Sequence, residues 1–189
     1  MQIGLFFGSF NPIHNGHLII ANTIQQHSKL QEIWFVVSPQ NPFKKSQSLL
    51  SVHDRLHLVN LAIDNNPKFR ASDIELNLPK PSYTIDTLTH LKQKFPQHTF
   101  SLIIGGDNLA SLSKWKNSEI LLRDYDFYVY NRNEKNNPLP TQKNIHYLDF
   151  PLLEISSTYI RNEIKSGRSI QYYVPEKVWQ YIDSYNLYK

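Results

Sequence analysis

Short runs of apolar residues alternate along the chain with segments in which apolar residues recur at helical spacing. Ile3–Phe7 is an almost continuous apolar run, of the kind that lies buried in a parallel sheet. The apolar positions 18 to 21 and 24 mark one face of a helix between Leu18 and Leu30. A second buried type of strand follows at Ile33–Val37. Two such strands around one helix predict a βαβ unit with parallel strands.

The same alternation continues through the rest of the sequence. Ser51 is expected to cap a helix that extends to about Asn65, with Asp54 in its first turn. Further strands are predicted at Phe100–Ile104, Asp126–Tyr130 and Ile145–Leu148, and further helices at Ser157–Lys165 and Glu176–Ser184.

This pattern predicts an α/β fold with a single doubly wound, Rossmann-like parallel sheet and helices on both of its faces. A chain of 189 residues is the size of one domain, so we expect residues 1–189 to form one domain that ends in a small helical part at about 157–189. Ligands of such sheets bind at the carboxyl ends of the strands. The places to search for a site therefore follow Phe7, Val37, Ile104 and Tyr130, together with the start of the helix at Ser157.

Composition excludes several classes of protein. The sequence contains no cysteine, which excludes disulfides, thiol nucleophiles and iron–sulfur clusters. Its longest run of aliphatic and aromatic residues, Ile33–Val37, is far shorter than the ~20 residues of a membrane helix. The first residues lack the basic and apolar regions of a signal peptide. We therefore expect a cytoplasmic protein without a membrane partner; the sequence leaves open whether it forms a homo-oligomer.

The charge balance favours anionic partners. Twenty Lys and Arg against sixteen Asp and Glu give a net charge of +4, which suits nucleotides but also serves solubility when it is spread over a surface. The basic residues form no cluster larger than the pairs Lys44–Lys45 and Lys114/Lys116. We therefore expect no nucleic-acid partner.

The segment Gly8–His17 contains the first candidate chemistry. It joins the first strand to the first helix and includes His14 and His17 on either side of Gly16. A phosphate at this helix N-terminus would meet N–H groups and the positive end of the helix dipole, and histidine rings could donate further hydrogen bonds to it. The alternative is a simple turn whose histidines cap the helix.

A second candidate, Ile155–Arg161, begins a helix near the end of the sequence. Ser157 and Thr158 offer hydroxyl groups, and Arg161 follows one turn later. Serine and threonine are also common N-caps, so capping alone is the alternative interpretation. Hydroxyls, helix N–H groups and a guanidinium together would suit a polyphosphate.

These two segments, GSFNPIHNGH and ISSTYIR, resemble the paired signature of the nucleotidylyltransferase superfamily. Further stretches resemble the bacterial nicotinate-nucleotide adenylyltransferases in particular. The resemblance implies transfer of AMP from ATP to nicotinate mononucleotide, which yields deamido-NAD and pyrophosphate, a step of NAD biosynthesis. The additional stretches are NPFKK at 41–45, PSYTIDTL at 81–88, IIGGDNLASLSKW at 103–115 and VPEKVWQYI at 174–182.

The resemblance also implies the residues that bind ATP. His14 and His17 would bind its phosphates, with His17 nearest the α-phosphate, and Arg161 would hold the β- and γ-phosphates. Magnesium is expected to arrive with ATP rather than at a site of the protein's own. The remaining ATP-binding residues implied are Gly8, Ser9 and Phe10 after the first strand, Ile104, Gly105 and Asp107 after the third, and Ser157 and Thr158 on the helix.

A third group of residues is implied for the nicotinate nucleotide. Ser82, Tyr83 and Thr84 precede or begin a helical stretch whose N–H groups could face a carboxylate. Trp115 could stack on the positively charged pyridine ring, although packing alone would also explain an aromatic residue there. Lys44 could reach the nucleotide's phosphate. The family commonly has histidine before this lysine, whereas Phe43 stands here.

Other candidates are given structural interpretations. His53 and His57 lie one helical turn apart, but a solvated helix face is expected rather than a metal site. Asp73 and Glu75 are expected along the edge of a strand. Arg132 could contact ATP. The tyrosines at 172, 173, 181, 185 and 188 are expected to pack the last helix.

Three alternatives to this activity remain. A relative with the same phosphate chemistry could act on nicotinamide mononucleotide or another phosphomonoester. A non-catalytic sensor would bind nucleotide without turnover. A nucleic-acid binder would show salt-dependent affinity for DNA or RNA.

Overall fold

One parallel sheet forms the centre of the structure, a computed structural model that describes residues 1–39, 49–130, 142–148 and 154–189. Its strands within these ranges are β1 (Gln2–Gly8), β2 (Glu32–Val37), β3 (Phe69–Ser72), β4 (Thr99–Gly105), β5 (Phe127–Tyr130) and β6 (Ile145–Leu148). They pair in the order β3-β2-β1-β4-β5-β6, and every neighbouring pair is parallel. The order reverses between β1 and β4, which confirms the predicted α/β fold. Sheets of this kind bind their ligands at such a reversal.

Seven α-helices connect or follow the described strands. Two of them begin at a serine cap: Ser51 Oγ accepts the N–H of Asp54 at 3.1 Å before α2, and Ser156 Oγ accepts the N–H of Tyr159 at 3.1 Å before α6. The helices are α1 (Asn15–Gln26), α2 (Val52–Ile63), α3 (Thr84–Lys94), α4 (Gly106–Ala110), α5 (Ser118–Asp124), α6 (Ser157–Lys165) and α7 (Glu176–Ser184). None of the helices within the described residues is long and apolar enough to cross a membrane.

The sheet separates two apolar clusters, because alternate residues of each strand point to opposite faces. Phe6 of β1 joins the cluster formed with α1, α2, α6 and α7, which we call the first core. Leu5, its neighbour, joins the cluster formed with α3, α4 and α5, which we call the second core. Helices therefore cover both faces, as the fold prediction required.

The prediction for Asp73 and Glu75 was wrong. The strand in this region is β3, which ends at Ser72, and a 3₁₀ turn follows at Ile74–Asn77. Glu75 is buried, and its carboxylate accepts a hydrogen bond from the hydroxyl of Thr87 in α3 at 2.9 Å. The alternating charges are therefore not a strand edge, and Glu75 helps to fix the start of α3.

The tyrosines near the end of the sequence do not share one role. Tyr188 is buried in the first core, as predicted for packing. Tyr172 is 86% exposed, so the packing prediction was wrong for this residue. Tyr185 is also exposed, although its ring lies 4.5 Å from that of Tyr181. His53 and His57 lie on the exposed side of α2, as predicted.

Candidate active site

The loop after β1 lies at the strand-order reversal and has a backbone of unusual shape. Phe10, the second residue after the strand, has a φ of 43°, in the left-handed region. The Phe10 ring is buried and packs edge-on against Phe6, Phe35 and His17, with centroid distances of 5.8, 5.6 and 5.1 Å. A Cβ on Gly8 would lie 2.7 Å from this ring, so only glycine fits where the strand ends.

The two predicted histidines lie together at the start of α1. Their rings stack with centroids 3.7 Å apart, and His14 is 1% exposed whereas His17 is partly exposed. A Cβ on Gly16 would lie 3.0 Å from His14 Nδ1, which explains the glycine between the two histidines. The backbone N–H of His14 donates a hydrogen bond to the ring nitrogen Nδ1 of His17 at 3.3 Å. Because Nδ1 accepts, Nε2 of a neutral His17 ring carries the proton and is a donor.

The start of α1 is less open to a phosphate than predicted. The backbone N–H of Asn15 donates to the carbonyl of Tyr173 at 2.9 Å. The Asn15 side chain also donates to the Tyr172 carbonyl, at 2.9 Å. The expectation of free N–H groups was therefore wrong for Asn15, because the segment between α6 and α7 occupies this donor.

The two predicted phosphate motifs contact each other directly. Arg161 Nη1 donates to the carbonyl of Asn11 at 2.8 Å, and Ser157 Oγ donates to the carbonyl of Pro12 at 2.9 Å. Arg161 Nη2 lies 3.2 Å from the hydroxyl of Thr158. Since Asn11 and Pro12 precede His14 in the same loop, the imidazoles and the guanidinium belong to one assembly. The Ser157 hydroxyl already donates its hydrogen to the Pro12 carbonyl within this assembly.

The predicted residues after β4 lie on the other side of the strand-order reversal. Ile104 and Gly105 are buried at the end of the strand, and Asp107 is exposed in the first turn of α4. A Cβ on Gly105 would approach the ring of Tyr130 to 3.3 Å. The end of β4 is therefore lined by an aromatic ring from β5, close to the end of β1.

Three of the five residues implied for the nicotinate nucleotide lie at the start of α3. Tyr83 is the N-cap residue of α3, Thr84 is its first residue, and Ser82 is buried beside them. Lys116 Nζ lies 2.8 Å from Asp86 in the first turn of α3 and 4.9 Å from the centre of the Tyr83 ring.

Trp115, the residue before Lys116, is partly buried against the second core. The structure thus brings the tryptophan segment to the start of α3 through Lys116, a residue that sequence reasoning did not select. Lys44, Phe43 and Arg132 lie outside the described residues.

Arg55, in the first turns of α2, is the main residue that sequence reasoning missed. It is 0% exposed, and burial lowers the pKa of its guanidinium below the usual range. Among the described residues, no carboxylate forms an ion pair with it. Its three nitrogens instead donate to four carbonyls at 2.5–3.1 Å, those of Ser9, Ser38, Pro39 and Leu50.

Arg55 thereby ties together the segments that follow β1 and β2. The signal that could have revealed it is its position on the apolar stripe of α2, with Leu58, Val59 and Ala62. An arginine on such a stripe must satisfy its donors inside the protein.

Comparison with known proteins shows the family of the chain. Residues 5–163 match the model of the cytidylyltransferase-like family. A probable nicotinate-nucleotide adenylyltransferase of Cytophaga hutchinsonii is 58% identical over 189 residues, which cover 100% of this chain and 98% of the relative. The chain belongs to the nicotinate-nucleotide adenylyltransferase family. A second relative with this name, from Flavobacterium psychrophilum, is 53% identical and is covered completely, as is this chain.

The fold of this family extends to solved structures of lower identity. A nicotinic acid mononucleotide adenylyltransferase of Plasmodium falciparum, solved in complex with NaAD, superposes with a TM-score of 0.79 at 23% identity. The match covers 99% of this chain and 97% of that one. At this identity the comparison shows the shared fold alone.

Gly8 provides a test of how tightly the first loop of this family member is packed. Gly8→Ala is expected to lower the free energy of unfolding by roughly 1–3 kcal/mol, because the new methyl group must displace the buried Phe10 ring. Gly105→Ala, whose Cβ would stand 3.3 Å from a ring, is the matched comparison and should cost less. Urea unfolding of both variants measures the difference; equal stabilities would contradict the proposed packing of Phe10.

Proposed function

We propose that the protein transfers AMP from ATP to nicotinate mononucleotide, yielding deamido-NAD and pyrophosphate in NAD biosynthesis. The observation that carries this proposal is the direct contact between the two phosphate motifs, through Arg161 and Asn11, at the strand-order reversal of the sheet. Family membership supports the same activity.

The reaction requires positioning and charge neutralisation more than proton transfer. The nucleophile is the phosphate of the mononucleotide, which attacks the α-phosphorus of ATP while pyrophosphate leaves. Since the second pKa of a phosphomonoester is about 6, this nucleophile is already largely dianionic at neutral pH. No general base is needed. The protein's task is in-line alignment of the two substrates and stabilisation of charge on the phosphoryl oxygens.

His14, His17 and Arg161, which we call the phosphate assembly, supply hydrogen-bond donors for that task. His17, with its proton on Nε2, donates to the α-phosphate as negative charge develops there. His14 supports it from the stacked position. Arg161 holds the β- and γ-phosphates that leave. The other residues proposed to bind ATP are Gly8, Ser9 and Phe10 by their backbone, Ser157 and Thr158 on α6, and Ile104, Gly105 and Asp107 on the adenosine side.

Recognition of the nicotinate carboxylate is assigned to the start of α3. The N–H groups of Tyr83 and Thr84 lie at the positive end of this helix dipole, with Ser82 beside them. Asp86, in the first turn, would repel an anion, but Lys116 pairs with it at 2.8 Å and offsets its charge. The start of α3 therefore stays favourable to a carboxylate. Lys44 is proposed to reach the mononucleotide phosphate.

The proposal also includes the metal ion that accompanies ATP and the cellular compartment of the reaction. We propose that Mg²⁺ enters with ATP, bound by phosphate oxygens and water, and adds to charge neutralisation. The described residues contain no group of three His, Asp or Glu side chains arranged to hold a metal ion. The reaction is assigned to the cytoplasm.

Pyrophosphate release from ATP, measured with a panel of acceptors, tests this function. The panel contains nicotinate mononucleotide, nicotinamide mononucleotide and phosphopantetheine at equal concentration. A clear preference for the nicotinate substrate is expected. Preference for another acceptor would overturn the substrate assignment, and ATP binding without any turnover would show a non-catalytic sensor.

Trp115→Ala tests the acceptor side. Loss of a stacking contact with the charged pyridine ring should raise the KM for nicotinate mononucleotide roughly 2- to 30-fold and leave the KM for ATP unchanged. Trp179→Ala, at a partly buried tryptophan of α7, is the control for loss of indole packing. Steady-state kinetics and thermal unfolding are measured together. A lower melting temperature with both KM values unchanged would show that Trp115 only packs.

A further inference from the structure

Tyr188, which follows α7, is buried against Asn11, in the loop that leads from β1 to the phosphate assembly. Its side chain is 9% exposed and belongs to the first core. Its hydroxyl donates to the side-chain oxygen of Asn11 at 2.9 Å. The residues in contact are 177 positions apart in the sequence, so this hydrogen bond joins the segment after α7 to the loop after β1.

Asn11 is the point at which several elements meet. Its side-chain oxygen also accepts the backbone N–H of Leu50, just before α2, at 3.2 Å. Its backbone carbonyl accepts Arg161 Nη1 at 2.8 Å. Asn11 is itself buried. Hydrogen bonds from Tyr188 and Leu50 therefore restrain the side chain of the residue whose peptide carbonyl accepts the guanidinium.

The surroundings of Tyr188 keep its hydroxyl a donor. Burial raises the pKa of the phenol, and this effect outweighs the opposing influence of the nearby Arg161 and Arg55 guanidinium groups. The phenol accordingly retains its proton at neutral pH. A protonated hydroxyl can donate to the Asn11 oxygen, whereas a phenolate could not.

We propose that Tyr188 is a positioning residue for ATP, in that its hydroxyl fixes Asn11 so that the Asn11 carbonyl holds Arg161 in place for the β- and γ-phosphates. The inference rests on the proposed use of ATP, and it adds a residue that itself contacts no substrate. The competing explanation is that Tyr188 serves only as an aromatic filler of the first core.

Tyr188→Phe separates the two explanations, because it keeps the buried ring and removes only the hydroxyl. Calorimetric binding of a non-hydrolysable ATP analogue should weaken about 3- to 10-fold, the effect expected if the energy of the Tyr188–Asn11 hydrogen bond is fully coupled to binding. In turnover assays, kcat/KM for ATP should fall by a similar factor, whereas the KM for nicotinate mononucleotide should not change. Tyr185→Phe, the same change at an exposed tyrosine, should leave both quantities unchanged.

A double-mutant cycle tests whether Tyr188 acts through Arg161. If it does, Tyr188→Phe should have less than about a twofold effect on analogue binding in an Arg161→Ala background, because coupled residues are not additive. An equal effect in both backgrounds, or unchanged binding in the single variant, would overturn the proposal. Thermal unfolding of all variants shows whether stability alone changed.

The same measurements distinguish this inference from the proposed function. If the wild-type protein binds the ATP analogue but does not use nicotinate mononucleotide, the acceptor assignment fails. The effect of Tyr188→Phe on analogue binding then still supports or overturns the role of Tyr188.

Discussion

His17→Ala is expected to lower kcat by roughly 10²–10³, the loss that follows removal of one donor to charge developing in a transition state. The partly exposed His17 ring stacks on the buried His14, and its Nδ1 accepts the His14 N–H, which leaves the proton on Nε2. The KM for ATP should change far less than kcat, since the donor is needed most when charge builds up. Single-turnover measurement of pyrophosphate release separates chemistry from product release.

The control for this variant is His53→Ala, at an exposed histidine on α2. It should leave kcat and the melting temperature unchanged. A His17→Ala enzyme with the wild-type kcat would remove His17 from the proposed mechanism.

The second large effect is expected from Arg55→Leu, which should lower the free energy of unfolding by roughly 3–5 kcal/mol. Four backbone carbonyls, all of partly buried residues, would lose their donor, and a fully buried acceptor left without one costs about 1–3 kcal/mol. Partial compensation by water keeps the total below the sum. Urea unfolding followed by circular dichroism measures the loss.

Arg123→Leu is the matched control, because the Arg123 side chain is 71% exposed and its ion pair within the described residues is with its neighbour Asp124. Its removal should leave the free energy of unfolding unchanged within the error of the measurement. If Arg55→Leu proved as mild as this control, the description of Arg55 as the tie between the β1 and β2 loops would be wrong.

Apolar periodicity predicted the buried parts of the fold and failed at its edge. β1, β2 and β4 are buried along most of their length, so their nearly continuous apolar runs are visible in the sequence. β3 has only one fully buried residue, and its four residues, Phe-Arg-Ala-Ser, form an alternation too short to be recognised as a strand. Because β3 could not be recognised, the pattern wrongly predicted a strand for Asp73 and Glu75, which follow its end.

The candidate site was predictable where its residues form a local motif. His14, Gly16 and His17 are close in sequence, and the strand–turn–helix context made their proximity visible. Arg55, Asn11 and Tyr188 act through contacts between segments far apart in the sequence. Asn11 and Tyr188 carry no local signal that distinguishes them from ordinary loop or core positions, and the local signal for Arg55 is its place on the apolar stripe of α2. The occupied N–H of Asn15 was missed for the same reason, since its acceptor is Tyr173.

The division of the interior by the sheet has a consequence for how such enzymes diverge. The histidines and Arg161 stand on elements anchored in the first core, whereas α3 and the Trp115 segment are anchored in the second. Substitutions that repack the second core can therefore reshape the proposed acceptor site without disturbing the groups proposed to bind the triphosphate. Laboratory selection for a new acceptor should accordingly accumulate its changes on that side of the sheet.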